Sequence, residues 1–218
     1  PLRIHYRVPR DEAASREAVG ILEYAWAREI DEIGFVAPLP DEGTCGEDDA
    51  LDIFTWRGAP YACGNIWEDN VATAWDDGYS YMVVDAWGEF GGDELPATLA
   101  HEFNHMCQTA YDWSDTAFLY EATATYIEDA VYDDHDSYME LLFDFQGNPD
   151  WSLDHDDGYE TWYMYGAVLW LHYVGDRFYG GDEAWVAELW KGLRSGWREN
   201  EPDFIDSLDK MLAEFGKS

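Results

Sequence analysis

The chain has 218 residues, of which 47% are hydrophobic and 17% aromatic, so it is long and apolar enough to bury one sizeable core. It carries 47 acidic side chains against 12 lysines and arginines, a formal net charge of −35, which argues against nucleic acid or an anionic membrane as a partner. No run of about 18 apolar residues occurs, so the sequence predicts no membrane-spanning helix.

The acidic residues recur along the whole chain among periodic apolar residues, which is typical of a folded domain rather than of disorder. At molar salt the Debye length falls to about 3 Å and screens repulsion between carboxylates, so we predict adaptation to high salt. The alternative is an acidic secreted protein that binds Ca²⁺. The sequence starts at Pro1 with no visible signal peptide, and we expect a secreted, extracellular protein whose leader has been removed.

The first part of the chain predicts a mixed sheet with a backing helix. Alternating polar and apolar residues over 2–8 indicate a strand, and a 3.6-residue period over 11–33 indicates an amphipathic helix that ends at Gly34. Further strands are predicted at 51–56, 61–67 and 79–87. Turns are predicted at 57–60 and 76–78. We expect the strand from Tyr79 to lie along the edge of a cleft, where a bound peptide could pair with it.

The remaining predicted elements are helices. They are expected at 95–108, 116–131, 137–145, 159–178, 182–193 and 202–215. This order predicts an α+β fold with two lobes. The upper lobe, over 1–113, has a mixed β-sheet, the backing helix and an active-site helix, and the lower lobe, over 114–218, is all-helical. We expect both lobes to form one catalytic domain that acts as a monomer.

An H-E-x-x-H sequence from His101 to His105 lies in the predicted active-site helix. Two histidines at i and i+4 project from one helix face and can bind one Zn²⁺ ion, while Glu102 lies beside the ion and can take a proton from water. Asp93 can cap this helix, and Pro96 fits its first turn. The alternative interpretation is a helix with two surface histidines and a solvated glutamate.

A catalytic zinc site needs a third protein ligand and an open position. Gln108 and Tyr111 stand where metzincins carry glycine and histidine, which excludes that class. Glu121 is our preferred third ligand, because it lies early on the next predicted helix among small residues that allow close packing. Glu128, two turns further along the same face, could instead support a ligand. The competing candidates for the third ligand are Asp112, Asp115 and Glu128.

These segments resemble those of gluzincin metallopeptidases, in which H-E-x-x-H is followed by a helix beginning E-[GA]-x-A-x-[YF]. The second segment reads E-A-T-A-T-Y over 121–126. The resemblance is closer to a group of secreted bacterial and archaeal metalloproteases named after a myxobacterial member. Their H-E-F-x-H-x-x-Q, E-A-T-A-x-x-x-E-D and Y-G segments correspond to 101–108, 121–129 and 165–170.

The resemblance implies a zincin-like two-lobed fold, one zinc ion held by His101, His105 and Glu121, and hydrolysis of a peptide or protein substrate. The G-x-M-E-N segment with which aminopeptidases hold a substrate amine is absent, and the nearest text is at 85–89, so an endopeptidase is favoured. The resemblance also favours Tyr165 as the donor that stabilises the oxyanion. The alternatives for that donor are Tyr163, His172 and His155.

Other functions stay open at this point. The chain could be a catalytically inert zinc- or calcium-binding module on the same scaffold, with weak calcium sites in the acidic runs 133–136 and 154–158. A deformylase-like hydrolase would use Cys63 as a ligand. If the protein is exported, Cys45 and Cys63 are the expected disulfide pair, whereas Cys107 is expected to be a small buried residue.

Overall fold

The described part of the chain combines α-helices with one four-stranded sheet. A computed structural model describes residues 2–8, 11–40, 48–56, 62–85, 94–156, 158–196 and 202–216, without the side chains of 62–68. The strands are β1 (Leu2–His5), β2 (Leu51–Thr55), β3 (Ala62–Asp69) and β4 (Gly78–Val84). The helices are α1 (Glu12–Trp26), α2 (Leu95–Thr109), α3 (Ala117–Val131), α4 (Leu142–Gly147), α5 (Tyr163–Gly166), α6 (Val168–Val174), α7 (Ala184–Leu193) and α8 (Phe204–Ala213).

The sheet has the order β1-β2-β4-β3. β1 and β4 are parallel to β2, and β3 is antiparallel to β4. β4 pairs with β3 over Gly78–Val84 and with β2 only over Met82–Val84, so a bound peptide could not pair with that last part of the strand. Ser80 of β4 lines a cavity that His105 also lines. Among the described strands, β3 and β1 are the two edges. The apolar end of β4, with Met82 and Val84 buried, fits its central position.

The predicted backing helix is confirmed as α1 and its π-helical continuation, Ala27–Ile33. Its apolar face, which includes Leu22 and Ala25, is buried against the rest of the core. Gly34 ends it in a left-handed conformation with φ 97°, which a residue with a side chain rarely adopts. The π-helical segment brings Glu29 into the protein interior, where it is fully buried.

Several predicted elements differ from the structure. The first strand, predicted over 2–8, ends at His5, and the turn predicted at 57–60 lies outside the described residues. The helix predicted over 159–178 begins only at Tyr163, because Gly158 and Tyr159 both have positive φ angles that a right-handed helix cannot include. It is then divided into α5, α6 and a π-helical segment, Gly175–Tyr179. The helix predicted over 137–145 begins as a 3₁₀ turn, Ser137–Leu141, before α4. The turn predicted at 76–78 lies earlier, and Asp76 is buried.

One hydrophobic core joins the sheet to the helices and continues on both sides of residue 113. On α2, the predicted apolar residues Leu99, Phe103 and Met106 are buried in it. Burial of each such side chain stabilises the fold by about 1.5–3 kcal/mol. Because the core fixes this apolar face of α2, the other residues of the helix, including His101 and His105, are also held in defined positions. No described helix has the length and hydrophobicity that crossing a membrane requires.

Candidate metal centre

Helix α2 presents His101 and His105 on one face, as the i, i+4 spacing predicts. Their ring centroids lie 4.7 Å apart with the rings nearly perpendicular. His101 is buried and His105 is half-buried. The alternative of two surface histidines is therefore wrong. The predicted cap Asp93 lies outside the described residues, and α2 begins at Leu95 with Pro96 in its first turn.

Helix α3 packs against α2 and brings Glu121 between the two imidazoles. The Oε2 atom of Glu121 lies 3.1 Å from Nε2 of His101 and 3.5 Å from Nε2 of His105. Potential ligand atoms of the three residues all lie within 4.8 Å of one another. Small residues surround Glu121 on its helix, with Ala122 and Ala124 buried, which permits this close approach. The sequence thus predicted the right carboxylate for the cluster.

Charges in the cluster stabilise one another. Burial alone would raise the pKa of Glu121, but His105 and His101 outweigh it and hold that pKa far below its ordinary value. Burial would likewise lower the pKa of His101, but its hydrogen bonds with Glu121 and Glu128 raise it well above the ordinary value. The pKa of His105 is raised too, since Glu121 outweighs burial. The cluster therefore favours positive charge beside the carboxylate, carried either by protons or by a cation.

Each histidine uses its Nδ1 atom for a supporting contact. Nδ1 of His101 lies 2.8 Å from Oε2 of Glu128, and Oε1 of Glu128 accepts a hydrogen bond from Ser137 at 2.6 Å. Nδ1 of His105 lies 2.7 Å from Oε1 of Gln108. These partners orient both rings with Nε2 toward Glu121. The supporting role of Glu128 was foreseen, whereas that of Gln108 was not.

The cluster could hold a metal ion. In a tetrahedral site with ligand bonds of about 2.0–2.2 Å, neighbouring ligand atoms lie about 3.4 Å apart, which agrees with the separations of Glu121 from both imidazoles. Metal-binding histidines characteristically give their second nitrogen to a carboxylate or another acceptor, as His101 and His105 do. Two imidazoles and one carboxylate suit several divalent ions.

A cavity of about 260 Å³ opens on the His101 side of the cluster. Glu102 and Tyr165 both line it. The ring of Tyr165 stacks on His101 with a centroid distance of 6.0 Å and an interplanar angle of 20°. Burial and the neighbouring Glu121 carboxylate raise the pKa of Tyr165 well above its usual range, so its hydroxyl stays protonated at neutral pH. Both residues predicted to be catalytic therefore lie beside the cluster.

A second cavity, of about 330 Å³, opens on the His105 side and contains a residue that the sequence analysis missed. The hydroxyl of Tyr159 donates to Oε1 of Glu121 at 3.2 Å. Burial and the Glu121 carboxylate raise the pKa of Tyr159 to about 12. Tyr159 has φ 69°, an uncommon conformation for a tyrosine, directly after the left-handed Gly158. Periodicity placed Tyr159 inside a helix, so only the turn signal at Gly158 pointed to another position.

The other candidate ligands contact groups elsewhere. Asp112 is buried and accepts hydrogen bonds from Ser114 and Ser195. Asp115 lines the 330 Å³ cavity and accepts a hydrogen bond from the backbone amide of Thr116 at 2.6 Å. Neither belongs to the cluster that could hold a metal ion.

The alternative oxyanion donors also make contacts elsewhere. Tyr163 is buried and donates its hydroxyl to the carbonyl oxygen of Ser152 at 3.0 Å. The ring of His155 contacts that of Trp151 in a tilted arrangement, with centroids 4.0 Å apart. The Nε2 atom of His172 lies 3.6 Å from Asp129 in another polar cavity. Of the four candidates, the geometry favours Tyr165.

The remaining predictions about metals and cysteines have different outcomes. Within the described ranges, the His101, His105 and Glu121 group is the one set of three metal-binding side chains that converges, so neither acidic run forms a second such set there. Asp157, in the second run, lies outside the described residues, as do Cys45 and the side chain of Cys63. The expected disulfide and the cysteine ligand of a deformylase therefore both fall on side chains outside the described part of the chain, and they stay predictions. Cys107 is a buried free thiol, as predicted.

No protein-family model, no curated protein and no solved structure matches the chain. The site is a group of two imidazoles and one carboxylate in which His101 and Glu121 are buried and His105 is half-buried, with a glutamate and two protonated tyrosines around it and a cavity on each side. Such an arrangement can hold a divalent cation and can move a proton next to it.

Proposed function

We propose that this chain is a zinc-dependent peptidase of the gluzincin type, with His101, His105 and Glu121 as the metal ligands. The observation that carries the proposal is the convergence of both Nε2 atoms on one carboxylate oxygen of Glu121, at 3.1 and 3.5 Å. Zinc commonly takes imidazole and carboxylate ligands together and leaves one position open when it is catalytic. The Nδ1 contacts of both rings support the same assignment, because they leave Nε2 available.

When bound, zinc supplies Lewis acidity, which lowers the pKa of a water molecule and polarises a peptide carbonyl. Glu102 follows a ligand histidine directly and lines the adjoining cavity. Its carboxylate accepts a proton from the attacking water and then delivers that proton to the nitrogen of the leaving amine. Both transfers need Glu102 in its ionised form at the start of the cycle.

The attacked carbonyl oxygen gains negative charge and needs a hydrogen-bond donor. Tyr165 is our proposed donor, since its hydroxyl stays protonated and its ring packs on His101 at the edge of the cavity. Tyr159 is a second candidate on the other side of the cluster. Its hydroxyl donates to Oε1 of Glu121, so it also orients that carboxylate.

We further propose a zincin-like arrangement in which the cleft lies between the sheet side of α2 and the helices that follow. The two cavities flank the cluster, so an extended peptide could cross it with side chains on both sides. β3 is the described edge strand next to β4 and packs against α2, so its backbone is the surface to which a peptide would add. In this proposed arrangement the two cavities form one cleft that is open at both ends, which favours an endopeptidase over an exopeptidase.

The test is Glu102→Gln, which keeps the size of the side chain and removes its basicity. We expect the variant to retain the zinc content of the parent chain and to lose cleavage of casein, measured by release of soluble peptides. Asp154→Asn, a carboxylate replacement in another part of the chain, is the control and should retain activity. A zinc-loaded parent chain that cleaves neither casein nor a broad peptide library would favour the inert metal-binding module instead.

A further inference from the structure

A buried chain of hydrogen bonds connects α1's π-helical continuation to one of the proposed ligands. Glu29, Asn104, Gln108 and His105 form this chain, which we term the amide relay. Nδ1 of His105 lies 2.7 Å from Oε1 of Gln108, whose Nε2 donates to Oδ1 of Asn104 at 2.8 Å. Nδ2 of Asn104 then donates to Oε2 of Glu29 at 2.9 Å. Every link thus has the geometry of an ordinary hydrogen bond.

The relay lies in the core, where polar groups are costly unless they serve a purpose. Glu29, Asn104 and Gln108 are each 0% exposed. The Oε1 atom of Glu29 has no hydrogen-bond partner among the described residues. Replacing both buried partners, Glu29 and Asn104, by apolar residues of similar volume is often neutral or stabilising, whereas replacing one of them leaves the other unpaired. Stability of the fold therefore does not by itself explain why the core holds this polar pair.

The direction of the hydrogen bonds gives the explanation. Three acceptors lie within 3.1 Å of the Gln108 amide nitrogen and share its two hydrogens: Oδ1 of Asn104, Oγ1 of Thr123 and the carbonyl oxygen of Tyr120. They hold this nitrogen away from His105. The oxygen of Gln108 therefore faces His105 and accepts a hydrogen bond from Nδ1–H, and this leaves Nε2 with the lone pair that a metal needs.

Glu29 and Gln108 together hold Asn104 in one orientation. Because Glu29 accepts from Nδ2, the oxygen of Asn104 must face Gln108. A reversed Asn104 would place its NH₂ group against that of Gln108, two donors in contact. Burial raises the pKa of Glu29 well above its ordinary value, and a neutral carboxyl group still accepts this hydrogen bond through one oxygen.

We propose that Glu29 is a positioning residue that, through Asn104 and Gln108, fixes the tautomer and orientation in which His105 binds the metal. The proposal rests on the metal site of the proposed function and needs no statement about which reaction follows. The sequence gives one indication of this role. Asn104 and Gln108 are polar residues spaced i, i+4 on the helix, and each follows one of the two histidines by three residues.

The experiment compares Glu29→Met with Glu29→Gln. Methionine removes the acceptor, whereas glutamine keeps an acceptor oxygen and matches a neutral glutamic acid in charge and size. The dissociation constant for Zn²⁺ is measured by competition with a chromophoric chelator, and the free energy of unfolding of the metal-free chain is measured in urea. We expect about 10- to 100-fold weaker zinc binding for Glu29→Met, with a lower unfolding free energy because Nδ2 of Asn104 loses its acceptor, and near-parent binding for Glu29→Gln.

Leu22→Ala is the matched control, because it removes buried volume from α1 without touching the relay. It should lower stability and leave zinc affinity unchanged. If Glu29→Met binds zinc as tightly as the parent chain, or if Leu22→Ala weakens zinc binding as much as Glu29→Met does, the proposal is overturned. If Glu29→Met does not fold, Asn104→Leu breaks the middle link and carries the same expectation.

Failure of the proposed function can be separated from failure of this inference. If the parent chain binds zinc but cleaves no peptide, the affinity measurements still decide the role of Glu29. If the parent chain binds no zinc, ¹⁵N NMR of labelled histidine replaces the affinity measurements. The spectra are recorded above the pH at which His105 loses its extra proton. The parent and Glu29→Gln should then have the proton of His105 on Nδ1, and Glu29→Met should populate the Nε2–H form. An unchanged tautomer in Glu29→Met would contradict the inference.

Discussion

The Nδ1 atom of His101 and the Oε2 atom of Glu128 lie 2.8 Å apart, with both side chains almost completely buried. Glu128 is fixed in turn by the hydroxyl of Ser137. The two residues are on neighbouring helices, α2 and α3, and the same pair of helices brings Glu121 to the other nitrogen of His101. One helix therefore supplies both a proposed ligand and the carboxylate that orients a second ligand.

Loss of the Glu128 carboxylate should weaken metal binding without removing any ligand. For Glu128→Ala we expect a rise of about 10- to 100-fold in the zinc dissociation constant, because His101 would lose the partner that fixes its ring. Glu140 lines the same cavity and is exposed, so Glu140→Ala changes the net charge equally and is the control. Equal effects of the two substitutions would mean that charge near the site, and not orientation of His101, is what matters.

The hydroxyl of Tyr165 should matter more for turnover than for substrate binding. If it donates to the developing oxyanion, Tyr165→Phe should lower kcat by about 100-fold and change KM little. Tyr163→Phe is the control, since that hydroxyl donates to Ser152 outside the cluster. Steady-state kinetics with a fluorogenic peptide measure both constants. A rise in KM with an unchanged kcat would assign Tyr165 to substrate binding instead.

Gly166 should tolerate no side chain. A Cβ atom built there would lie 2.8 Å from the carbonyl oxygen of Leu141 and 2.8 Å from Cβ of Phe145, so α4 and α5 would have to separate. We expect Gly166→Ala to reduce the free energy of unfolding by about 1–3 kcal/mol. Gly147→Ala has open space around its Cβ atom and should change stability far less. Urea denaturation of both variants measures the difference, and equal midpoints would contradict the packing described.

Asp115 should make stability depend on pH. Burial raises the pKa of Asp115 to about 6, against the hydrogen bond from Thr116 that lowers it, whereas an aspartate in an unfolded chain titrates near about 3.9. The folded chain therefore holds this proton more tightly, and the unfolding free energy falls as pH rises from about 4 to 6. After discounting for partial exposure, we expect Asp115→Asn to stabilise by about 1 kcal/mol at pH 8 and much less at pH 4.

The matched control for Asp115 is Asp134→Asn, which removes one negative charge from an exposed position. Thermal unfolding of both variants across pH 4–8 should give a pH-dependent gain for Asp115→Asn beyond that of the control. If both variants change in parallel, the gain comes from the lower net charge of the chain rather than from burial of Asp115.

Salt should stabilise the chain if it is adapted to high salt. With a net charge of −35, raising NaCl from 0.1 to 1 M shortens the Debye length from about 10 to about 3 Å and weakens repulsion among the carboxylates. We expect the melting temperature to rise by several degrees, since about 1 kcal/mol corresponds to about 2–4 °C in a chain of this size.

Two comparisons distinguish the explanations for the acidic composition. KCl at equal ionic strength should act like NaCl if screening is the cause. A larger effect of millimolar CaCl₂ in low salt would instead favour calcium binding. A melting temperature that falls as NaCl increases would contradict adaptation to high salt.

Local patterns were sufficient to predict much of the fold and the central cluster. Hydrophobic periodicity identified α1, α2 and α3, because each buries one face in the same core. The i, i+4 histidines followed from the helix repeat, and Glu121 followed from its place among small residues on the next helix. These are properties of one or two segments, which a sequence contains directly.

Features that depend on tertiary packing could not be predicted in this way. In the sheet, β2 pairs with β4 and not with β3, the next strand in sequence, so β3 lies at the edge. Tyr159 reaches Glu121 only because two positive φ angles interrupt an otherwise helical pattern. The hydrogen bond between Glu29 and Asn104 joins residues 75 positions apart. None of these relationships has a period that a sequence pattern would reveal.

The most direct test of the proposed metal centre is the zinc content of purified, dialysed protein, measured by mass spectrometry for the parent chain and four variants. We expect one zinc ion per parent chain and retention of zinc in His155→Asn, because the His155 ring contacts Trp151 and is not part of the cluster. His101→Asn, His105→Asn and Glu121→Gln should each lose the ion under the same dialysis. A parent chain without zinc, or full zinc content in Glu121→Gln, would contradict the account.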